Sequence, residues 1–497
     1  MARPELPASL ASGATVLGMA WLDDVWAVHS TSDRLAAVDE TGAVTGRELI
    51  GKAMHAAEVL TSLEPRPGAS VPALLTTNSD ALALLLGGAA ANRPLAPMGP
   101  RLTARELART VAGLGGRVIV TESRWYETAA EAATLAGAGV HLVPNLRSSA
   151  ARLPRARGEL AFQLHTSGTT GEPKRVPFTE DVLTARVTVS AEVIGLGPDH
   201  RYATGSPLHH IAGLGNVLTA LSVGATVLST TQFSTAWWRG MRDVGATHCL
   251  LVPTMIEMLL TERMLDVVPL HTLIYGAAPM SPETLRRVLH TLPAVALVSI
   301  FGQTEGSPIA TLDSADHHRA AAGRPELLDT VGRAAPGLSL RIDGADAAGT
   351  GEVLAAAPYL SIHDEDGWLH TGDLGALDSE GYLRLSGRRN DMVVRGGENV
   401  YPLEVEHVLV EHPGVAGVGV VGVPDQRLGE TLAAFVVPTD ATHSPDHDEL
   451  ASFTRARLAG FKVPAHWYDV TELPLNHAGK LLRPKLLELH LNAIARS

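Results

Sequence analysis

For roughly its first 390 positions the chain alternates short β-rich apolar runs with stretches of helical periodicity, which admits little besides a layered α/β architecture. The pattern predicts a helix over 45–60, a buried strand over 71–75, a helix over 79–91, a strand over 117–121 and a further helix within 177–194. Strands separated by helices pair in parallel, because the crossover carries the chain back to the same sheet edge. Beyond Gly387-Arg388-Arg389-Asn390-Asp391 the pattern shortens. A helix is expected over 402–411, strands over 415–423 and 432–437, a helix over 448–458, a strand near 467–470 and a polar loop around 476–480. The expected fold is therefore a large N-terminal layered α/β domain, 1–389, with a small mobile C-terminal α+β domain, 390–497. No Gly/Ser-rich linker joins them, so the connection at Asn390 should act as a pivot.

Composition narrows the class. With 45% hydrophobic residues in 497, the chain can bury a core in each domain, but aromatics are only 4%, so Ala, Val, Leu and Ile must fill it. The net charge of −13 argues against nucleic-acid or membrane-surface binding that rests on bulk charge. Any anionic ligand must be held by a few placed cations. Cys249 is the sole cysteine, in the apolar run 247–253, which excludes an intramolecular disulfide framework and a Cys-clustered zinc site and reads as a buried strand residue. The first 26 residues lack a compact apolar region, no stretch is long enough to span a membrane, and a cytoplasmic protein is expected.

Four segments carry chemistry. The first is Thr166-Ser167-Gly168-Thr169-Thr170-Gly171, which leads through Glu172 and Pro173 to Lys174, behind a probable strand at 160–164. Glycines let backbone N–H groups approach a polyphosphate, and the hydroxyls and Lys174 add donors and a charge. The loop is not a Walker A motif, since no Gly-Lys-Ser/Thr closes it, and a solvated turn is the bland alternative. The second is Phe301-Gly302-Gln303-Thr304-Glu305, ending in a hydroxyl beside a carboxylate: a phosphate contact and an oxygen ligand for Mg²⁺, or a strand-end cap. In the third, Asp373 on a Gly-flanked turn can accept two ribose hydroxyls and Arg388 can join it or meet a phosphate; a plain Asp-Gly turn is the alternative. The fourth places Lys480 after Asn476-His477-Ala478-Gly479, on a loop that could swing into a site, though such a lysine is usually solvated.

In this order the four segments resemble the adenylate-forming superfamily of acyl-CoA synthetases, nonribosomal adenylation domains and luciferases. Gly276-Ala277-Ala278-Pro279, the stretch 331–337 and Gly351-Glu352-Val353 extend the likeness from about Ser32 to Lys485. The resemblance implies that 166–174 wraps the phosphates of ATP, that Gly276, Ala277, Ala278, Pro279 and Phe301 flank adenine, that Thr304 touches a phosphate and that Glu305 binds Mg²⁺. It gives the ribose to Asp373 and Arg388, and sets Lys480 between the α-phosphate and the acid.

Gly396-Gly397, the stretch 421–425 and His209-His210 resemble the CoA-ligase branch, with the glycines passing a pantetheine arm and His210 facing the acid. No aspartate stands near His210 to take the ammonium of an α-amino acid, and no carrier domain follows Lys480. The expected partners are a small carboxylic acid, ATP and a thiol, with CoA as the expected acceptor; a homodimer is compatible with the sequence. Transfer to a carrier protein or amine, activation of a small oxyanion such as nitrite, and a non-catalytic nucleotide-binding role stay open. Arg175, where these ligases usually have glycine, is expected to add a cation beside the phosphates, Asn390 replaces the usual pivot residue, and the stretch 358–366 is short. Pocket walls are expected near His210, Thr254, Gly276 and 307–309. Gly417-x-Gly419-x-x-Gly422 reads as a Gly-rich strand, and His317, His318, His443 and His447 as surface histidines in polar loops.

Overall fold

The computed structural model describes residues 20–149, 160–167, 173–278, 280–347, 349–395, 398–425, 427–440, 444–476 and 480–494. The helix expected over 45–60 forms as Gly46–Leu63. It opens on a capping box in which the Thr45 hydroxyl accepts from the Glu48 N–H and the Glu48 carboxylate accepts from the Thr45 N–H at 2.8 Å. Helix Ser79–Ala90, begun by the Asn78 side chain, is buried except at Asp80, as its almost wholly apolar sequence requires.

Two largely parallel sheets build the N-terminal domain. One has nine strands, with Ala296–Phe301, Thr272–Gly276, His248–Leu251, Arg201–Thr204 and Thr226–Ser229 side by side in parallel at its centre. The other has six, in which Val118–Thr121, Val71–Leu74, Leu95–Pro97 and Leu160–Ser167 run parallel and Pro173–Thr179 returns antiparallel at the edge. Leu, Val and Ala from both sheets and the helices beside them form the largest apolar cluster, which needs few aromatic rings. Cys249 lies fully buried in its strand, where burial raises the thiol's pKa and leaves it inert.

From 339 onward the architecture departs from the α/β expectation. Ser339–Asp343, Gly351–Ala356, Leu369–Leu377 and Leu383–Arg388 form a purely antiparallel four-stranded sheet with no helix between strands. Glycine turns such as Gly344 and Gly381 (φ 62° and 82°) fold these strands directly on one another.

The connection 389–392, with a single helical turn at Arg389–Asp391, leads into the C-terminal sheet of Val393–Arg395, Glu398–Val400, Val415–Asp425, Gly429–Pro438 and His466–Asp469. Gly417, Gly419 and Gly422 all lie in Val415–Asp425, which pairs antiparallel with Gly429–Pro438, a strand as expected. Helix Arg483–Ile494 is clamped to this sheet through Glu406, a buried carboxylate that accepts from the Arg483 guanidinium at 2.8 and 2.9 Å and from the Val420 N–H at 2.8 Å. Immediately before that helix, Leu475 and Leu481 pair, the Asn476 N–H donates to the Lys480 carbonyl at 2.8 Å, and the Lys480 N–H donates to Asn476 Oδ1 at 2.9 Å. The loop carrying Lys480 is thus held at both ends by a clamp that runs back to Glu406. Removing one partner of such a buried pair strands the other charge, at a cost of about 3–5 kcal/mol. Glu406→Ala should therefore lower the unfolding free energy of the C-terminal domain by about 3 kcal/mol in urea titrations; an unchanged midpoint would remove Glu406 as the anchor.

Candidate active site

Parallel sheets open a crevice beyond the carboxyl ends of their strands, and the cleft here begins where Thr272–Gly276 and Ala296–Phe301 end as neighbours, Gly276 opposite Ile300. Gly276 has φ 158°, and a Cβ there would stand 2.4 Å from the Ile300 carbonyl oxygen. Ala277 follows with φ 66°, a left-handed conformation that costs an alanine energy and marks a constrained turn. The cleft encloses about 1360 Å³ and draws its walls from both domains.

Its polar groups form two ion-paired clusters. Lys174, on the edge strand Pro173–Thr179, meets Glu305 at 3.1 Å. Asp373 and Arg388 face each other across neighbouring strands with Nε to Oδ1 at 3.0 Å, and Gln303 donates to the second Asp373 oxygen at 2.7 Å. Gln303 also donates to the Thr371 carbonyl. Burial raises the Asp373 carboxyl above the usual aspartate value, although Arg388, Gln303 and Lys480 all favour its charged form. Lys480 reaches the same cluster from the C-terminal domain. Desolvation in the cleft leads, and repulsion from Arg388 adds, to a lowering of its ammonium pKa that Asp373 and Asp391 oppose. The side chain nonetheless stays open to the cleft. Among the described residues no three His, Cys, Asp or Glu side chains converge on a metal-binding point. Glu305 offers one carboxylate, the protein donor a Mg²⁺ needs when phosphates and water supply its other oxygens.

The structure brings Thr166, Lys174, His210, Gly276, Ala277, Gly302, Gln303, Thr304, Glu305, Arg388 and Lys480 to this one cleft, with Asp373 buried just behind Gly372. Gly168, Thr169, Thr170, Gly171, Pro279, Gly396, Gly397 and His443 lie outside the described residues, as does the side chain of Ser167. Ala278 follows Ala277 without joining the described walls.

Several expectations are corrected. Side chains alternate along a strand, so Ile300 and Gly302 line the cleft while the half-buried Phe301 packs against the apolar cluster of Ile309 and Leu338, and its place beside adenine stays a proposal. The same alternation turns Arg175 away from Lys174, and its guanidinium donates to the Gly113 carbonyl at 3.3 Å instead of joining the phosphate cations. Ser307 forms a wall but Ile309 is fully buried, and Val252 and Met255 line the cleft in place of Thr254. His317 and His318 stand in helix Ser314–Ala321, not a loop, and His317 is buried: its Nδ1 donates to the Asp313 carbonyl at 2.6 Å, leaving Nε2 to accept from the Tyr275 hydroxyl at 2.8 Å. His447 starts helix His447–Arg455 and meets Asp469 at 3.1 Å.

Other wall residues were not singled out from sequence. Glu352 holds His370 at 3.3 Å and Arg389 at 3.0 Å, and its hydrogen bond keeps the His370 imidazole above the usual histidine pKa. His165 and Arg186 line the cleft with buried ring and guanidinium nitrogens that have no partner among the described residues. His210 is the N-cap residue of helix Ile211–Ser222, and its ring lies 4.4 Å from that of His209.

The model of AMP-binding enzymes matches residues 25–361, and that of the AMP-binding enzyme C-terminal domain matches residues 404–480. An indoleacetate–CoA ligase of Aromatoleum aromaticum is 36% identical over 346 residues, 65% of this chain and 66% of that protein. A feruloyl-CoA synthase of Amycolatopsis is 32% identical over 465 residues, 89% of this chain and 93% of that protein. Among solved structures, an amide bond synthetase of Marinactinospora thermotolerans superposes with a TM-score of 0.84 at 28% identity, covering 95% of this chain and all of that one. No helix among the described residues is long and apolar enough to cross a membrane.

Hydrogen bonds to a charged group are worth about 1.5–3 kcal/mol each. If Asp373 holds a nucleotide, Asp373→Ala should weaken ATP or AMP binding roughly 10–100-fold by calorimetry; an unchanged affinity would take Asp373 out of the nucleotide site.

Proposed function

The chain belongs to the AMP-binding enzyme family, and from that premise we propose that it activates a carboxylic acid with ATP and passes the acyl group to a thiol, with CoA as the acceptor. The observation that carries this reading is the convergence of Lys174, Glu305, Asp373, Arg388 and the C-terminal domain's Lys480 on one cleft of a chain whose net charge is −13. An acid attacking an α-phosphate brings negative charges together, so a site for that reaction must supply positive charge where the negative charge accumulates.

The steps follow from the groups present. A carboxylate oxygen of the acid attacks the α-phosphorus, the bond to the β-phosphate oxygen breaks, and pyrophosphate leaves with the electron pair. Thr166, Thr304 and Lys174, which line the cleft, are assigned to the phosphates, with backbone of the loop 168–172 assigned the same role from sequence. Asp373, whose charged form Arg388 and Gln303 favour against burial, accepts from ribose hydroxyls. Mg²⁺ bound through Glu305 would neutralise phosphate charge. Lys480 stands between the acid and the α-phosphate, and His210, at the start of its helix, faces the acid. In the second half-reaction a thiolate sulfur attacks the acyl carbon and AMP departs. We assign the exchange of faces to rotation about Asn390, in the short connection 389–392, which withdraws Lys480 and brings in Gly396 and Gly397. The boundary 1–389/390–497 is part of the same proposal.

Transfer to an amine is the second reading, favoured by the fold shared with an amide bond synthetase. Offering CoA, a carrier protein and amines separately to the preformed acyl-adenylate, and weighing the products by mass, separates the two.

ATP–pyrophosphate exchange with a panel of acids tests adenylation itself. Lys480→Ala should lower exchange about 10²–10³-fold, the scale of losing one transition-state contact, while thiolation of supplied acyl-AMP persists. Equal loss in both half-reactions would refute the two-face scheme. A lysine must keep its proton to offer charge, and the proton leaves as pH rises. Since the Lys480 value is lowered, exchange should fall at a pH below the ordinary lysine range. Lys480→Arg, which stays charged, should carry that alkaline limb upward in a pH-rate profile; a limb that stays put would assign it to another group.

A further inference from the structure

One wall of the cleft is made by two packed helices, Glu180–Ile194 and Ile211–Ser222, whose facing sides belong to the main apolar core. Leu183, Val187 and Ile194 form the buried stripe of the first helix, and Arg186 falls on that same stripe. Its residue surface is only 3% exposed, and it borders the cleft together with Ser206, Ile211 and Asn216. The guanidinium lies flat on the second helix at Gly215, where a Cβ would stand 3.0 Å from Nη2 and 3.1 Å from Nε. A glycine in mid-helix is costly, and here it makes room for the planar cation.

Among the described residues nothing completes this arginine. Nε and Nη1 are buried without a hydrogen-bond partner among the described residues. The titratable neighbour acting on it is Tyr359, whose phenol is kept neutral because burial raises it, so no counter-charge comes from there. Burial pushes the guanidinium down to about 10, which still leaves it protonated at neutral pH. A buried cation without a counter-ion is among the costliest arrangements a core can hold, and structures keep such groups paired. The missing partner must arrive through the open side, and the open side is the cleft.

We propose that Arg186 is a specificity-determining residue that pairs with a second oxyanion, a carboxylate or sulfonate, at the far end of the acid this protein activates. The proposal rests on the acid-activating function given above and narrows its substrate to acids that carry two anionic groups. One is activated at Lys480, and the other is gripped by the planar fork of Arg186, which suits bidentate pairing with an oxyanion. Arg186 touches the far end of the substrate and takes no part in bond making.

The test compares α,ω-dicarboxylic and ω-sulfonated acids with monocarboxylic acids of matched length in ATP–pyrophosphate exchange. Wild type should favour the dianionic acids at least 100-fold in kcat/KM, mostly through KM. Arg186→Met should erase or invert that preference, and Arg186→Lys, a point charge without the fork, should retain part of it. Gly215→Ala, which crowds the guanidinium without removing it, should lower the preference if Arg186→Met fails to fold. A thermal-shift series gives a readout separate from catalysis: dianionic acids should raise the melting temperature of wild type and not of Arg186→Met. An undiminished preference in folded Arg186→Met, or a wild type indifferent to the second charge, overturns the assignment while leaving acid activation intact. Absence of exchange with every acid, alongside a dianion-specific thermal shift that Arg186→Met abolishes, sinks the activation reading and leaves the subsite standing.

Discussion

Like-charge repulsion between an acid and a polyphosphate sets the terms for the whole cleft. A chain with 53 acidic and 40 basic residues cannot meet it with a diffuse positive surface. Its cations at the site are few, and two of them are fixed in place by a carboxylate of their own: Lys174 by Glu305, Arg388 by Asp373. These pairs hold the cations where ligand charge will develop. In the proposed reaction the protein carboxylates would then be available for other work, Glu305 for a divalent cation and Asp373 for neutral hydroxyls. An exposed lysine pair of this kind is worth little in itself, so exchanging it for phosphate contacts costs the protein almost nothing.

Lys480 obeys a different logic. Its position comes from the second domain, through the Leu475–Leu481 pairing, the helix beginning at Arg483 and the buried Glu406. The rigid part of that linkage lies within the C-terminal domain, while only the short connection 389–392 ties the domain covalently to the large one. In the proposed exchange of faces, a lysine mounted this way would leave as a unit with its domain. The pairs Lys174–Glu305 and Arg388–Asp373 cannot, because each is built from neighbouring segments of the N-terminal sheets.

Much of this was legible in the chain. Parallel sheets followed from the alternation of apolar runs and helical periods, and the four motifs named Thr166, Lys174, Gln303, Thr304, Glu305, Arg388 and Lys480 of the cleft walls, though not Glu352, His370, His165 or Arg186. What escaped has several causes. Arg175 was assigned by its place beside the loop lysine, and the period-2 alternation of its strand turned it away from Lys174. His317 sat in a polar string whose Asp313 cap makes it a helix, and the partner that buries it, Tyr275, is 42 residues away. The antiparallel sheet at 339–388 lacks helices that its glycine turns make unnecessary. Strand register, a helix cap, glycine turns and one distant partner decided these, and motif membership reads none of them.

Arg186 is the opposite case, because its signal is local. The helical period of Leu183, Val187 and Ile194 leaves a single cation on the apolar stripe, three positions after one leucine and beside a valine. Taken alone, such a residue suggests a lysine-like snorkel, its charge reaching past the core to water. The second helix removes that option: Gly215 lets the guanidinium lie down against backbone, inside the fold, where no bulk water surrounds it. The two irregularities, a charge on one buried stripe and a glycine on the facing helix, explain each other only if the charge is meant to stay buried. A cation kept buried beside a substrate cleft is best understood by what enters the cleft. The same chain that meters positive charge so sparingly would otherwise be spending one of its arginines where it could only destabilise.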